Sequence, residues 1–195
     1  MIYFTSDTHF CHNQEFIYRS RGFFSIGEHD KTIIENWNKI VSKNDIVYHL
    51  GDVMLNDNEK GLKYLKSLNG EIHIIRGNHC SNARVALYNT LPNVVEVCEA
   101  KTIKIGKQYY FLCHYPTFTA NYDDKPYQAH LINLFGHTHS KEKFYNPTSS
   151  STDLNPFMYN VALDAHNCYP ISIEQINKDI INKIKELQLK EYYNN

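Results

Sequence analysis

Apolar residues fall into short runs separated by polar turns, and the spacing inside each run predicts its type. Ile2-Tyr3-Phe4-Thr5, Asp45 to Leu50, Ile72 to Ile75, Leu131 to Phe135 and Phe157 to Leu163 are brief runs of strand length. From about Glu28 to Val41, by contrast, Ile33, Ile34, Trp37, Ile40 and Val41 recur at helical spacing on one face. Leu62, Leu65 and Leu68 mark a shorter helix stopped by Asn69-Gly70, and another short helix is expected around Ala83 to Leu87. Val94 to Val97, Thr102 to Ile105 and Tyr109 to Cys113 read as three antiparallel strands, the last two joined by a turn at Gly106-Lys107. Ser172 with Gln175 makes a capping box. It opens a final helix with Ile173, Ile176, Ile180, Ile184 and Leu187 on its apolar face and a frayed tail from Tyr192. Residues 10–27, 115–130 and 140–156 are expected to be irregular. Strands and helices alternate early and strands dominate later, which predicts an α/β layered fold with mixed sheets.

The residues just past the strands carry the chemistry. Ligands in open α/β sheets bind beyond the carboxyl ends of the strands. Five apolar runs deliver Asp7 and His9, Asp52, Asn78 and His79, His114, and His137 and His139 to that end. Asp7/His9 and His137/His139 stand at i and i+2, which on extended backbone places both side chains on one side. A single His-x-His is an ordinary loop, but five such coincidences exceed what turn chemistry explains. Carboxylates, imidazoles and one amide oxygen outnumber the three protein ligands typical of a catalytic zinc. They suit two ions sharing a bridging carboxylate, an arrangement that clamps the attacking and leaving oxygens of a displacement at phosphorus. Nitrogen and oxygen donors without thiolate leave manganese, iron, zinc, cobalt and nickel open, with manganese favoured.

Composition narrows the partners. The 195 residues suit one domain over 1–195 with a sizeable core. Lys and Arg number 20 against 21 Asp and Glu, so neither a general nucleic-acid clamp nor a membrane surface binder is expected. The N-terminus carries no signal-peptide pattern, and no apolar run reaches membrane-spanning length. Five cysteines without a C-x-x-C pair fit a reducing compartment, and the expected location is cytoplasmic.

Asp7-Thr8-His9, Gly51-Asp52-Val53, Gly77-Asn78-His79, Cys113-His114 and Gly136-His137-Thr138-His139 resemble, in order, the signature blocks of the calcineurin-like metallophosphoesterase superfamily. The stretch from Asp7 to Asn13, with Trp37-Asn38 after it, looks like a small bacterial and phage branch of that superfamily. The resemblance implies a four-layer αββα sandwich, two mixed sheets flanked by helices. It also implies that Asp7, His9 and His139 hold one divalent metal, that Asn78, His114 and His137 hold a second, and that Asp52 bridges them. His79 would stabilise the transition state and protonate the leaving oxygen. The implied activity is hydrolysis of phosphomonoesters or phosphodiesters by in-line attack of a hydroxide held between the ions. Small molecules or nucleotides are the preferred substrates, and a nuclease or a catalytically silent scaffold are the alternatives. The chain departs from the protein-phosphatase pattern G-D-x-x-D-R-G, reading Gly51-Asp52-Val53-Met54-Leu55-Asn56-Asp57. Cys80 also replaces the acidic residue that often comes after Gly-Asn-His, which leaves the group that orients His79 open.

Arg21 and Arg19, in the first loop, either bind a substrate phosphate, whose oxygens guanidinium matches bidentately, or are solvated loop residues, and His12 either lines the substrate pocket or is an exposed loop histidine. Tyr115, Tyr122, Tyr127, Phe144 and Tyr145 lie in the two long loops expected to rim the metals, either stacking on a base or closing over the core. His49 and His73 read as structural. His29, His130 and His166 receive no role, and the cysteines beside the ligand motifs read as small buried hydrophobes.

Overall fold

The computed structural model describes residues 1–119, 131–146 and 155–194, the last six of them by backbone only. Four parallel strands build the first sheet: β1 (Ile2–Thr5), β2 (Ile46–His49), β3 (Glu71–Ile75) and β4 (Val94–Cys98). The two-residue β9 (Ile171–Ser172) joins its other edge antiparallel, giving the order β4-β3-β2-β1-β9. The second sheet runs β5-β6-β7-β8. In it the hairpin of β5 (Lys101–Ile105) and β6 (Gln108–Leu112) is extended by β7 (Ile132–Phe135) and β8 (Met158–Asn160), both parallel to β6. The fold is therefore α/β, two mixed sheets with helices beside them.

Alternation along the strands feeds two cores. Val47, Ile72 and Ile74 face α2 (Ile26–Ile40), α3 (Asn58–Ser67) and α4 (Asn82–Tyr88), where they meet Ile33, Trp37, Leu65 and Tyr88. Phe4 and Ile75 face the other way, onto Tyr110, Leu112, Leu134 and Tyr159 of the second sheet and onto Ile173, Ile176 and Ile180 of α5 (Ile173–Asn194). Hydrogen bonds from Tyr110 to Asn177 and from Tyr159 to Asp179 tie α5 to that sheet.

Three expectations change. Val94–Cys98 does not pair antiparallel with Lys101–Ile105; it lies parallel beside β3, with Ile74 opposite Val97. A short connection usually means a hairpin, but here residues 99–100 carry the chain from one sheet to the other. Apolar periodicity cannot distinguish these outcomes, because both strand directions bury the same alternate side chains. The helix expected from about Glu28 begins at Ile26, since Ser25 accepts a hydrogen bond from the Glu28 amide while the Glu28 carboxylate accepts from the Phe24 amide. One turn of helix, α1 (Glu15–Tyr18), lies inside the stretch expected to be irregular. The Ser172 cap on Gln175 is present, at 3.2 Å. The tract 148–152 and the side chains of the C-terminal tail lie outside the described residues.

Trp37 couples core to site. It is fully buried, donates to the Asn69 carbonyl at 2.9 Å and stacks on His49, whose Nε2 meets Thr8 Oγ1 at 2.9 Å. His49 is thus structural, and burial pushes its imidazole down to about 3. Truncating a buried aromatic typically costs ~3–5 kcal/mol. Trp37→Ala is expected to lose that much in urea unfolding, with the midpoint falling at unchanged m.

Candidate metal centre

Past the ends of β1, β2, β3, β6 and β7 the chain turns sharply, and the expected donors sit on these turns. Asp7 (φ +60°), His9 (+47°), Asp52 (+56°), His137 (+66°) and His139 (+50°) all adopt left-handed backbone, which L-residues avoid. The i, i+2 pairs do converge, but through these turns rather than through the extended backbone that the spacing suggested. Strain of this kind costs ~1–3 kcal/mol per residue and persists only where the surroundings enforce it. The enforcement is visible as a zip of hydrogen bonds between turns. The Asp7 amide donates to the Gly51 carbonyl, His9 to Asp52, Phe10 to Val53, and Gly136 to His114, all at 2.9–3.0 Å. Two close approaches need glycine: a Cβ on Gly136 would overlap Ser6 Oγ and Asp7 Oδ2, and one on Gly77 would stand 2.7 Å from the Asp52 amide nitrogen.

At Asp7, Asp52 and His114 one side-chain atom is tied down and the other turns inward. Asp7 Oδ2 accepts from the His137 amide at 2.9 Å, so Oδ1 faces His9 Nε2 at 3.6 Å and His139 Nε2 at 3.9 Å. Asp52 Oδ1 accepts from the His79 amide at 2.9 Å, so Oδ2 faces His114 at 3.5 Å, His9 at 3.9 Å and His79 at 4.0 Å. His114 Nδ1 lies 2.6 Å from the Leu50 carbonyl, which can only accept. A neutral His114 therefore presents its Nε2 lone pair to Asn78 Oδ1 at 2.9 Å and to Asp52 Oδ2, two further acceptors. His137 Nδ1 stands 3.0 Å from the same Asn78 oxygen.

Such a set lacks a positive charge. Asp7 Oδ1 and His9 Nε2 are buried with no hydrogen-bond partner among the described residues, an expensive state for polar atoms. Donors bound to one divalent cation at ~2.0–2.2 Å must lie within about 4.3 Å of each other, and the 3.5–3.9 Å separations satisfy this. Two donor groups emerge, Asp7/His9/His139 and Asp7/Asp52/His114, with Asp7 in both. Burial alone would raise the Asp7 carboxyl. The imidazoles that face it, His9 at 3.6 Å foremost and then His114 and His139, outweigh burial and hold it far below the usual range. Burial pushes the His9 imidazole down as well.

The donors floor a cleft of about 380 Å³ whose wall includes His12, Phe16 and His79. His12 Nδ1 sits 3.2 Å from His9 Nδ1, and burial with the neighbouring His9 and His79 brings its imidazole down to about 4. The His79 ring is 40% exposed and edge-on to His9 at 5.7 Å. Its turn is braced by Arg84, which donates to the His79 carbonyl at 2.7 Å, and by Arg76, which donates to the Cys80 carbonyl at 2.9 Å. Cys80 is buried in the first core, consistent with a small hydrophobe. Tyr115 stands at the rim, 4.8 Å from the His137 ring, whereas Phe144 and Tyr145 close onto Tyr159 and Phe135. Tyr122 and Tyr127 lie outside the described residues.

Neither arginine lines the cleft above the donors. Arg19 is half-exposed, 3.8 Å from Glu15 and over the Phe24 ring. Arg21 is neither a substrate ligand nor a solvated loop residue, because its side chain is buried and its donors are engaged. Nε and Nη2 grip both oxygens of Asp164 at 3.0 and 2.7 Å, Nη2 also reaches the Asp7 carbonyl at 2.7 Å, and Nη1 meets His29 Nε2 at 2.9 Å. Asp164 is a neighbour of the site to which the sequence pattern assigned no role, its Oδ2 lying 3.1 Å from His139 Nδ1. Its signal is a sixth apolar run, Phe157 to Leu163, that ends at a carboxylate as the other runs end at donors. Removing one partner of a buried ion pair typically costs ~3–5 kcal/mol, so Arg21→Ala is expected to lose that much in denaturant unfolding of the metal-free chain. An unchanged midpoint would make the Arg21–Asp164 pair dispensable for folding.

Comparison with known proteins gives the class. The calcineurin-like phosphoesterase superfamily domain matches residues 1–156, and the chain belongs to that superfamily, whose members bind divalent metals. Among its relatives, an uncharacterized protein of Methanocaldococcus jannaschii is 34% identical over 185 residues, 91% of this chain and 89% of the relative. The gene 66 protein of Mycobacterium phage D29 is 26% identical over 208 residues, 95% of this chain and 98% of the relative. A solved structure, a protein of unknown function from Aquifex aeolicus, shares the fold with a TM-score of 0.65 at 24% identity, covering 91% of this chain and 98% of that one. Among the described residues no helix is long and apolar enough to cross a membrane.

Proposed function

We propose that the chain, as one domain over residues 1–195, is a metal-dependent phosphoesterase that uses two divalent cations to hydrolyse phosphomonoesters or phosphodiesters of small molecules or nucleotides. One observation carries the reading. Donors from five turns aim lone pairs at a shared centre, where Asp7 Oδ1 and His9 Nε2 are buried without a partner among the described residues. Asp7, His9 and His139 would hold one cation, Asn78, His114 and His137 the other, and Asp52, whose Oδ2 faces imidazoles of both sets, would serve the two together. When bound, such cations polarise a phosphoryl oxygen and lower the pKa of water. The rest falls to the chain. His79 stands at the mouth of the cleft with an exposed ring, placed to give a proton to the departing oxygen. His12 and Phe16 form the wall along which the alcohol portion of a substrate rests.

The test is turnover of a panel of phosphomonoesters and phosphodiesters by metal-stripped protein, supplied in turn with Mn²⁺, Fe²⁺, Zn²⁺, Co²⁺ and Ni²⁺. Metal-dependent release of phosphate or alcohol is expected, with Mn²⁺ the best activator. Full activity in the stripped protein would overturn the metal dependence, and no activity on either ester class with every ion would overturn the proposed reaction.

A further inference from the structure

We infer that Asp164, held in place by Arg21, is a positioning residue for His139, and that it sets the affinity of one cation position separately from the other. The inference rests on the metal-binding reading above and adds a residue pair to it.

His139 needs a tether. About a third of its side chain is exposed, and its packing on the His9 ring at 5.0 Å does not by itself choose which nitrogen turns inward. An imidazole has two distinct nitrogens, and the partner of one decides which lone pair the other presents. Here Nδ1 faces Asp164 Oδ2 at 3.1 Å, a carboxylate that can only accept, so the free lone pair is at Nε2, turned toward Asp7 Oδ1. Asp164 cannot swing away, because both of its oxygens are gripped by Arg21 and its side chain is buried.

Arg21 is itself anchored on two further segments. Nη2 also holds the Asp7 carbonyl, and Nη1 donates to His29 Nε2, whose Nδ1 is turned to Asp30 at 2.9 Å. Asp30 in turn accepts from the Cys11 amide at 3.0 Å. One guanidinium therefore fixes the turn carrying Asp7 and His9 relative to His139, the three members of a single donor group.

The second group is oriented differently. His114 is tethered through Nδ1 to the neutral carbonyl of Leu50 rather than to a carboxylate. A carboxylate behind an imidazole raises its basicity as a ligand, and losing such an outer partner typically costs about 10–100-fold in metal affinity. The asymmetry means that the loss falls on one position.

The experiment titrates the metal-free wild type, Asp164→Asn, His139→Ala and the double variant with Mn²⁺ by calorimetry, and with Co²⁺ by visible absorption. Expected for Asp164→Asn is one binding step weakened by about 10–100-fold, the other step unchanged, and a shift in the Co²⁺ bands of the weakened step only. In the His139→Ala background, Asp164→Asn should change little further, because the two act through one ring. Equal weakening of both steps, or a full additional loss in the double variant, would overturn the positioning role. Arg21→Lys, which keeps the charge but loses the two-pronged grip, takes the place of Asp164→Asn in the same cycle if the latter does not fold without metal. A wild type that takes up no divalent cation would overturn the metal-binding reading itself, an outcome distinct from uptake that Asp164→Asn fails to discriminate.

Discussion

Asp52→Asn is expected to abolish measurable turnover and to lower metal content at both positions. Asparagine is nearly isosteric and can still accept the His79 amide hydrogen bond that Asp52 Oδ1 accepts, so the turn keeps its shape. What is lost is the negative charge at Oδ2, the atom that faces His114, His9 and His79 within 4.0 Å. An amide nitrogen there would present hydrogens to the very space where lone pairs converge. Asp52 is buried, so water cannot substitute for the missing charge. Metal analysis of the purified variant alongside its rate decides the matter. A wild-type rate with two bound ions would sink the shared-carboxylate arrangement, and loss of a single ion would assign Asp52 to one position only.

The next largest effect belongs to His79. As the bond from phosphorus to the leaving oxygen breaks, that oxygen gathers negative charge, and a positioned acid lowers the barrier in proportion. General acid catalysis typically contributes ~10²–10⁴-fold. His79→Ala should lose about that factor on an alkyl ester and clearly less on a nitrophenyl ester, whose leaving group departs adequately without a proton. Bound metal should not change, because the turn is held by backbone contacts, the amide on Asp52 and the carbonyl on Arg84, that survive removal of the ring. Rate plotted against leaving-group pKa should slope more steeply in the variant. Parallel lines would mean that His79 acts through charge or position alone, and a fall in metal content would make it a ligand. Neither Asp52, 4.0 Å from the ring, nor the buried Cys80 holds the imidazole as a close carboxylate would.

Much of this protein was legible along the chain. Strands announce themselves as short apolar runs, and their ends carry the donors, because open sheets place ligands beyond the strand ends. The order Asp7, His9, Asp52, Asn78, His79, His114, His137, His139 is therefore a statement about place as well as chemistry. The long helix, its apolar stripe and Trp37 were readable from helical spacing for the same reason: local periodicity records which face is buried.

Only the tertiary structure decided the rest, and in each case the missing information was a contact distant in sequence. Val94–Cys98 pairs with β3 rather than β5, an outcome that periodicity does not name because both pairings bury the same side chains and sheet membership depends on distant neighbours. The left-handed turns at the donors arise from contacts between loops some 40 residues apart or more, such as the hydrogen bond of Asp7 to Gly51 and the close approach of Gly136 to Ser6. Arg21 looked like a phosphate ligand because guanidinium fits phosphate and carboxylate alike. Asp164, 143 residues further on, reaches it first. By itself the sequence determined which atoms are available to a metal centre, since residue types set donor chemistry. Folding determined which donors are free to face inward, since that depends on what ties down each opposite atom.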